Sequence, residues 1–187
     1  YAANKIEIIT TCNSAIGQRG TLSSRLQPNH PTDNIDGIMA SLKEGLAYGV
    51  GDAVIGINPV DDSVESVKRV LHATKEFMTE WQVPTQNCVL AHVTTQMKAI
   101  RQGAPADMVF QSIAGTEKAN RAFGISIELL KEAQSLIKKQ GTSAGPNQFY
   151  FETGQGSELS AEAHYDIDQL TLESRNYGFA RHFNPFI

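Results

Sequence analysis

The chain has 187 residues, 41% hydrophobic and 19% charged, which suits one folded domain with a substantial core and argues against global disorder. A net charge of −4 argues against a nucleic-acid-binding protein, which would usually carry a basic face. No apolar stretch reaches the roughly 20 residues that span a bilayer and no signal-peptide pattern is present, so we expect neither membrane nor nucleic acid as a partner.

The first elements along the chain are a segment of ambiguous type and a strand. In residues 4–16, Ile6, Ile9 and Ile16 permit a helix, whereas the run at residues 8–11, Ile-Ile-Thr-Thr, favours a strand; we predict a helix. A glycine-bracketed turn follows, and residues 21–27 then have the composition of a strand.

Apolar strands and amphipathic helices alternate from there, giving five strand–helix units. The predicted strands cover residues 21–27, 53–57, 88–93, 108–113 and 148–151. The predicted helices follow caps at Asp33–Asn34, Asp61–Ser63, Thr94–Thr95 and Thr116–Glu117, the last opening one long helix to Ile137; residues 158–183 form one helix or two, with Gly178 as a possible break.

Continuous apolar strands of this kind predict a parallel sheet covered on both faces, with right-handed crossovers. An open doubly wound sheet and a (β/α)8 barrel both fit, and both place their sites at the carboxyl ends of the strands. The absence of a Gly-rich phosphate loop favours the barrel. The chain also begins without methionine and ends on Phe186–Ile187 as if another strand were starting, so we expect a piece of a larger protein.

Polar side chains stand at the ends of several predicted strands. Arg25 and Gln27 are two residues apart and point the same way on an extended segment, which Pro28 then ends. A guanidinium and a carboxamide side by side can clamp a small polar molecule, although they can also tie the strand to a neighbouring loop.

Three further strand ends carry polar groups. Asn58 shares a face with Gly56, or else starts a turn before Pro59. Glu152 follows an aromatic strand and either binds an ammonium group or forms a salt bridge with a nearby cation. Ser112 closes the fourth strand. These positions predict one shared pocket.

Other candidate residues give weaker signals. The five histidines and two distant cysteines match no metal-ligand spacing, so we predict no metal site formed by protein side chains and expect free cytosolic thiols. His92 stands at a strand end and is a candidate pocket residue. Residues 154–157, Gly-Gln-Gly-Ser, are similar to a phosphate-binding loop but complete no known fingerprint.

Taken together, these motifs resemble the large subunit of ethanolamine ammonia-lyase, an adenosylcobalamin-dependent enzyme. The resemblance runs through the whole chain and is most specific at residues 20–33, 56–61 and 149–157. The family fold is a (β/α)8 barrel. The resemblance therefore implies that residues 1–187 are a partial barrel catalytic domain with about five of the eight units.

The resemblance also implies a role for each site residue. Substrate would contact Arg25, Gln27, Asn58 and Glu152, with Glu152, Gln27 and Arg25 as the catalytic residues. In this scheme the Glu152 carboxylate binds the substrate ammonium, while Gln27 and Arg25 hydrogen-bond the hydroxyl oxygen. The cobalamin would contact Pro59, Gln111 and Ser160, with Ser112 and Phe123 near the adenosyl or substrate space.

The family converts ethanolamine to acetaldehyde and ammonia by radical chemistry. Its members assemble with a small subunit, form oligomers of large subunits and operate in the bacterial cytoplasm, often inside a microcompartment. Further substrate and cofactor contacts occur later in the family sequence than Ile187, so we expect the isolated piece to be inactive.

Three alternatives are compatible with the residues alone. A barrel lyase or aldolase without cobalamin would need a Schiff-base lysine or a metal cluster, and no predicted strand end carries a lysine. A non-enzymatic α/β module could bind a small amine. An inactive barrel fragment could act only after assembly with missing parts.

Overall fold

The computed structural model describes residues 1–187 as an α/β structure with parallel central strands. The strands are β1 (Thr10–Thr11), β2 (Ala15–Ile16), β3 (Arg25–Leu26), β4 (Val54–Ile57), β5 (Asn87–Val89), β6 (Val109–Ile113) and β7 (Phe149–Thr153). The helices are α1 (Ile35–Ala47), α2 (Val64–Glu80), α3 (Val93–Arg101), α4 (Glu117–Ala122), α5 (Ile127–Gln140), α6 (Glu158–Ala161) and α7 (Gln169–Arg181). The predicted five strand–helix units are confirmed.

The parallel strands are neighbours in the order in which they occur along the chain. β3, β4 and β5 form one parallel sheet, and β6 pairs with β7 in a second. Each connection between them contains at least one helix, as parallel pairing requires. The hairpin of β1 and β2 is the one antiparallel pair.

Side chains replace backbone pairing where β5 runs beside β6. The Asn87 amide donates to the Asp107 carboxylate at 3.1 Å, and the Asp107 amide donates back to the Asn87 side-chain oxygen at 2.9 Å. Gln96 of α3 accepts from the Phe110 amide at 2.9 Å and donates to the carbonyls of Ala91 and Phe110 at 2.6 and 2.7 Å. We call Asn87, Gln96 and Asp107 the β5–β6 seam. It satisfies the backbone groups that a ladder would otherwise pair.

Successive side chains along each strand point alternately into two different hydrophobic cores. The larger core has 28 buried residues and joins strand residues such as Ile55 and Val109 to residues of α1, α2, α3 and α5. The smaller core contains no helical residue and consists of Cys12, Val54, Cys88, Leu90, Met108, Phe110, Tyr150 and Phe186. Helices therefore cover one face of the strands, and side chains alone line the other, which we call the inner face.

The strands curve strongly around this inner face. β4, β5 and β6 separate β3 from β7, so a flat sheet with a spacing of about 4.8 Å would place β3 and β7 roughly 19 Å apart. Arg25 of β3 nevertheless contacts both Tyr150 and Glu152 of β7. A single side chain cannot cross such a distance, so a flat arrangement of these strands is excluded.

The last two residues hydrogen-bond to β7. The Phe186 amide donates to the Phe149 carbonyl at 2.8 Å, and the Phe151 amide donates to the Ile187 carbonyl at 3.0 Å. Residues 184–187 belong to no strand of the structure, so the further strand stays a prediction.

The predicted helix in residues 4–16 is wrong. These residues contain only the end of a 3-10 turn, Ala3–Lys5, followed by the β1–β2 hairpin. Distant side chains hold the hairpin: Asn147 accepts from the Thr11 amide at 2.8 Å and Gln86 accepts from the Asn13 amide at 3.0 Å. Hydrogen bonds to residues distant in the sequence therefore stabilise a hairpin in a segment whose local pattern fits either a helix or a strand.

Caps explain where the helices begin. Asn34, Ser63 and Thr116 accept amide hydrogen bonds at the starts of α1, α2 and α4, as predicted. The predicted cap at Thr94–Thr95 is wrong, because β5 ends at Val89 and His92 caps α3. No helix combines the length and the apolarity needed to span a bilayer.

Three other predicted boundaries are corrected. The long helix from Glu117 is two helices, because Gly124 has a positive φ of 72° and Ser126 caps α5. Gly178 lies inside α7, and the interruption falls earlier, between α6 and α7. In residues 21–27 only Arg25–Leu26 forms a strand, since the Ser24 amide donates to the Asp52 side chain.

Candidate active site

Four polar side chains from three strands meet in one hydrogen-bonded group. Arg25 donates through Nη1 to Glu152 Oε1 at 3.2 Å and through Nη2 to Asn58 Oδ1 at 2.8 Å. Gln27 donates through Nε2 to the same Asn58 oxygen at 3.0 Å. We call Arg25, Gln27, Asn58 and Glu152 the polar cluster. The sequence predicted that these residues share one location, and the structure brings them together.

Strand alternation and one glycine position this cluster. Asn58 directly follows β4 and Glu152 lies near the end of β7, at the carboxyl edge of the strands. Arg25 begins β3 in register with Val54, the first residue of β4, and its long side chain extends to that edge. A Cβ atom on Gly56 would lie 3.2 Å from Arg25 Nε, so glycine at this position gives the guanidinium room across the inner face. Asn58 also takes part in the turn, because its amide donates to Asn29 Oδ1 at 2.9 Å.

The sequence did not single out Tyr150, which contacts Arg25 from the inner face of the strands. Its hydroxyl accepts a hydrogen bond from Arg25 Nη1, and the Arg25 Cζ atom lies 5.5 Å from its ring centroid. The ring also packs edge-on against Phe110, with centroids 5.4 Å apart. Burial raises the pKa of the Tyr150 phenol, which therefore stays neutral at neutral pH. The available signal was its spacing, two residues before Glu152 on the same face.

The cluster keeps several polar atoms free of protein partners. Glu152 forms the salt bridge that was the alternative to ligand binding, yet its side chain is 46% exposed and Oε2 has no hydrogen-bond partner in the protein. Gln27 Oε1 and Asn58 Nδ2 also have no protein partner, and neither does the buried Nε of Arg25. The free atoms of Gln27, Asn58 and Glu152 belong to exposed residues that a ligand can reach, whereas Arg25 Nε is buried. This arrangement suits a small molecule that carries an ammonium group and a hydroxyl.

Two of the residues that the resemblance assigned to a large cofactor lie at the same edge. Ser112 pairs in register with Glu152, is half-buried, and its hydroxyl has no protein hydrogen bond. Pro59 is half-buried beside Val60, whose side chain is 67% exposed. A free hydroxyl and an exposed apolar edge beside the polar cluster fit a large, partly apolar ligand.

The other three assigned residues have different surroundings. Gln111 is buried, accepts from the Val93 amide at 3.0 Å and donates to the Ser112 carbonyl at 3.1 Å. The buried Ser160 hydroxyl lies 2.6 Å from the Gln155 carbonyl. The Phe123 ring packs over the turn after β7, since a Cβ on Gly154 would lie 2.7 Å from it. The structure does not bring the side chains of Gln111 and Ser160 into the polar cluster.

Two weaker candidates have structural partners. His92 uses both ring nitrogens, one with Thr94 Oγ1 at 2.8 Å and one with the Phe123 carbonyl at 2.9 Å. Gln155, in the glycine-rich turn, accepts from the Gly115 amide at 2.9 Å, and the helix that follows the turn has only 4 residues. Neither feature adds a ligand-binding group to the cluster.

A cleft of about 620 Å³ lies elsewhere, between α4, α5 and α7. Arg121 and Glu117, which line it, already pair with each other across 2.5 Å, and no member of the polar cluster lines it. The size of a cavity therefore does not mark the candidate site, whereas the convergence of polar groups at the strand ends does.

Comparisons with known proteins show the family to which the chain belongs. Residues 1–187 match the family model described as ethanolamine ammonia lyase large subunit (EutB). The chain is 52% identical over 187 residues to the ethanolamine ammonia-lyase large subunit of Escherichia coli and 50% identical to that of Salmonella typhimurium. Each match covers 100% of this chain but 41% of the relative. The chain thus spans about two fifths of the length of these curated relatives.

Proposed function

Because the chain belongs to the ethanolamine ammonia-lyase large-subunit family, we propose that it is part of the catalytic subunit of an adenosylcobalamin-dependent ethanolamine ammonia-lyase. The reaction converts ethanolamine to acetaldehyde and ammonia. One observation carries the proposal: Arg25, Gln27, Asn58 and Glu152 converge at the carboxyl ends of curved parallel strands, with free polar atoms.

The polar cluster would bind and orient ethanolamine. Glu152 is the cluster's one carboxylate and would accept hydrogen bonds from the substrate ammonium. Gln27 and Arg25 would hold the hydroxyl oxygen, and the free amide of Asn58 would fix the orientation of the molecule. Contacts of this kind, if they strengthen in the transition state, contribute about 1–3 kcal/mol each.

When bound, adenosylcobalamin supplies the radical chemistry that removes hydrogen from the hydroxyl-bearing carbon. The Ser112 hydroxyl and the apolar edge at Pro59 would hold the cofactor beside the polar cluster, and Phe123 would border the same space. Gln111 and Ser160 would contribute by keeping the strand ends in place, as their internal hydrogen bonds indicate. The apolar side chains of the inner face would exclude water and other hydrogen donors.

For the fold, the proposal is that residues 1–187 form part of the wall of a (β/α)8 barrel catalytic domain. Sequential parallel strands, helices on one face and strong curvature support this architecture. An open doubly wound sheet would instead carry helices on both faces.

The family also suggests the assembly. We expect the complete large subunit to bind a small subunit and to form homo-oligomers, and to operate in the bacterial cytoplasm within a microcompartment. A complex of the full-length large subunit with a small subunit is therefore the proper object for a functional test.

The test combines activity with cofactor binding. The complex should form acetaldehyde from ethanolamine only when adenosylcobalamin is present, and visible absorbance should show saturable cobalamin binding. The isolated 187-residue chain should produce no acetaldehyde. Ethanolamine binding by a complex that neither binds cobalamin nor turns over would contradict the proposal and favour a simple amine-binding module.

A further inference from the structure

Asp33 is a buried carboxylate at the start of α1 that does not cap its own helix. It is 3% exposed, and the capping hydrogen bond of α1 comes from its neighbour Asn34. The Asp33 backbone has a positive φ of 50°, a left-handed conformation that is uncommon for residues other than glycine. A buried charge and a strained backbone at one residue need a physical explanation.

The Asp33 carboxylate reaches across to the loop between β4 and α2. It accepts from the Val60 amide at 2.9 Å and from the Asp61 amide at 2.8 Å, while the Ser66 hydroxyl lies 3.4 Å away. No Lys, Arg or His nitrogen lies within 4.0 Å of it. The carboxylate is therefore held by backbone amides rather than by a salt bridge.

This loop carries two residues of the candidate active site. Asn58 enters the polar cluster, and Pro59 follows it at the apolar edge. With the Val60 amide turned inward to Asp33, the Val60 side chain stays exposed beside Pro59. Asn29 fixes the other end of the same loop through the Asn58 amide.

We propose that Asp33 is a positioning residue, which fixes residues 58–61 so that Asn58 faces the substrate and Pro59 and Val60 face the cofactor. This inference rests on the proposed function for its ligands, whereas the anchoring of the loop rests on geometry alone. Asp33 does not touch the substrate itself. It acts through the two amides that it binds.

The test uses Asp33→Gly in the full-length large subunit assembled with its small subunit. Glycine tolerates the left-handed backbone and removes both carboxylate oxygens, so the Val60 and Asp61 amides lose every acceptor that Asp33 provides. Asn34→Ala is the matched control, because it removes the cap of α1 and leaves both loop contacts in place. Three quantities are measured: melting temperature, hydrogen exchange of the Val60 and Asp61 amides, and the binding of cyanocobalamin and ethanolamine.

Asp33→Gly should accelerate exchange at both amides by about tenfold or more. It should also weaken the binding of cyanocobalamin or of ethanolamine by roughly 10- to 100-fold, as expected when a contact residue is displaced by about 1 Å. Asn34→Ala should lower the melting temperature without either effect.

Two outcomes would overturn the inference. One is unchanged amide exchange in Asp33→Gly. The other is faster exchange with wild-type binding constants, or with losses that Asn34→Ala reproduces at an equal melting temperature. If the wild-type complex itself binds no cobalamin, the proposed function fails, and the exchange experiment still decides whether Asp33 anchors the loop.

Discussion

Polar groups gather at both ends of the parallel strands, but they are used differently. At the amino end, Asp107 is fully buried and accepts from Lys75 at 2.7 Å, from Thr142 at 2.7 Å and from the Asn87 amide at 3.1 Å. At the carboxyl end, the Glu152 carboxylate is half-exposed and has one partner residue. Polar groups whose hydrogen bonds are all made within the protein stabilise the fold, whereas groups with unused hydrogen-bonding capacity are available to a ligand.

The largest effect on stability is expected at the amino end. Asp107→Ala leaves Lys75 and the Asn87 amide without their partner and should lower the free energy of unfolding by about 3–5 kcal/mol. Denaturant unfolding of the full-length complex measures this. Glu152→Ala is the matched control at the carboxyl end and should cost at most about 1 kcal/mol, because its ion pair is exposed. Equal losses of unfolding free energy in the two variants would show that the polar groups at the two ends do not differ in their contribution to stability.

Glu152→Gln should have the largest effect on function. The amide cannot balance the substrate ammonium, so kcat/KM for ethanolamine should fall by about 100- to 1,000-fold, while cobalamin binding changes little. Steady-state kinetics and a cobalamin titration on the same preparation give both numbers. A parallel loss of cofactor affinity would argue against an ammonium-binding role.

Gln27→Ala should give a smaller loss of turnover with an intact fold. It removes one of the two donors to Asn58 Oδ1 and the free Gln27 carbonyl, so we expect kcat/KM to fall by roughly 10- to 100-fold. Thermal unfolding provides the control for folding, since the side chain is exposed. Full activity in this variant would exclude Gln27 from the site.

Tyr150→Phe should change activity least among the site variants. It removes the hydroxyl that accepts from Arg25 Nη1 but keeps the ring beneath the guanidinium, so about a tenfold loss in kcat/KM is expected. Tyr150→Leu, which also removes the ring, should lose more. If the two variants behave alike, the hydroxyl rather than the ring is what orients Arg25.

The two cysteines should show almost no reactivity in the folded protein. Burial raises the pKa of the Cys12 thiol to about 11, and it also raises the pKa of Cys88. At pH 8 both therefore stay protonated and shielded. Alkylation followed by mass spectrometry should label both cysteines only after denaturation. Rapid labelling of Cys88 alone would show that the inner face is open to solvent.

The sequence was informative wherever one residue type interrupted a clear pattern. Asn58 and Glu152 stood out because each comes at the end of an apolar strand, and Arg25 stood out through its two-residue spacing to Gln27. Parallel pairing and the reach of the Arg25 side chain bring these groups together. Tyr150 did not stand out, because an aromatic residue inside an apolar strand looks like an ordinary core residue.

Features that depend on distant partners could not be predicted. Asp33 was expected to help cap α1, but its carboxylate binds amides 27 and 28 residues further along the chain. The β1–β2 hairpin likewise depends on Gln86 and Asn147, which no local pattern connects to it. By contrast, Gly124 and Ser126 are residue types typical of a helix end and a helix cap, but the apolar spacing up to Ile137 predicted one continuous helix.

The β5–β6 seam divides the polar cluster between two separately paired sheets. Arg25, Gln27 and Asn58 belong to the sheet of β3, β4 and β5, whereas Glu152 belongs to the sheet of β6 and β7. No direct main-chain ladder sets the spacing across the seam; the side chains of Asn87, Gln96 and Asp107 do. These three residues thereby help to set the distance between the strand that carries the guanidinium and the strand that carries the carboxylate, although they touch neither group.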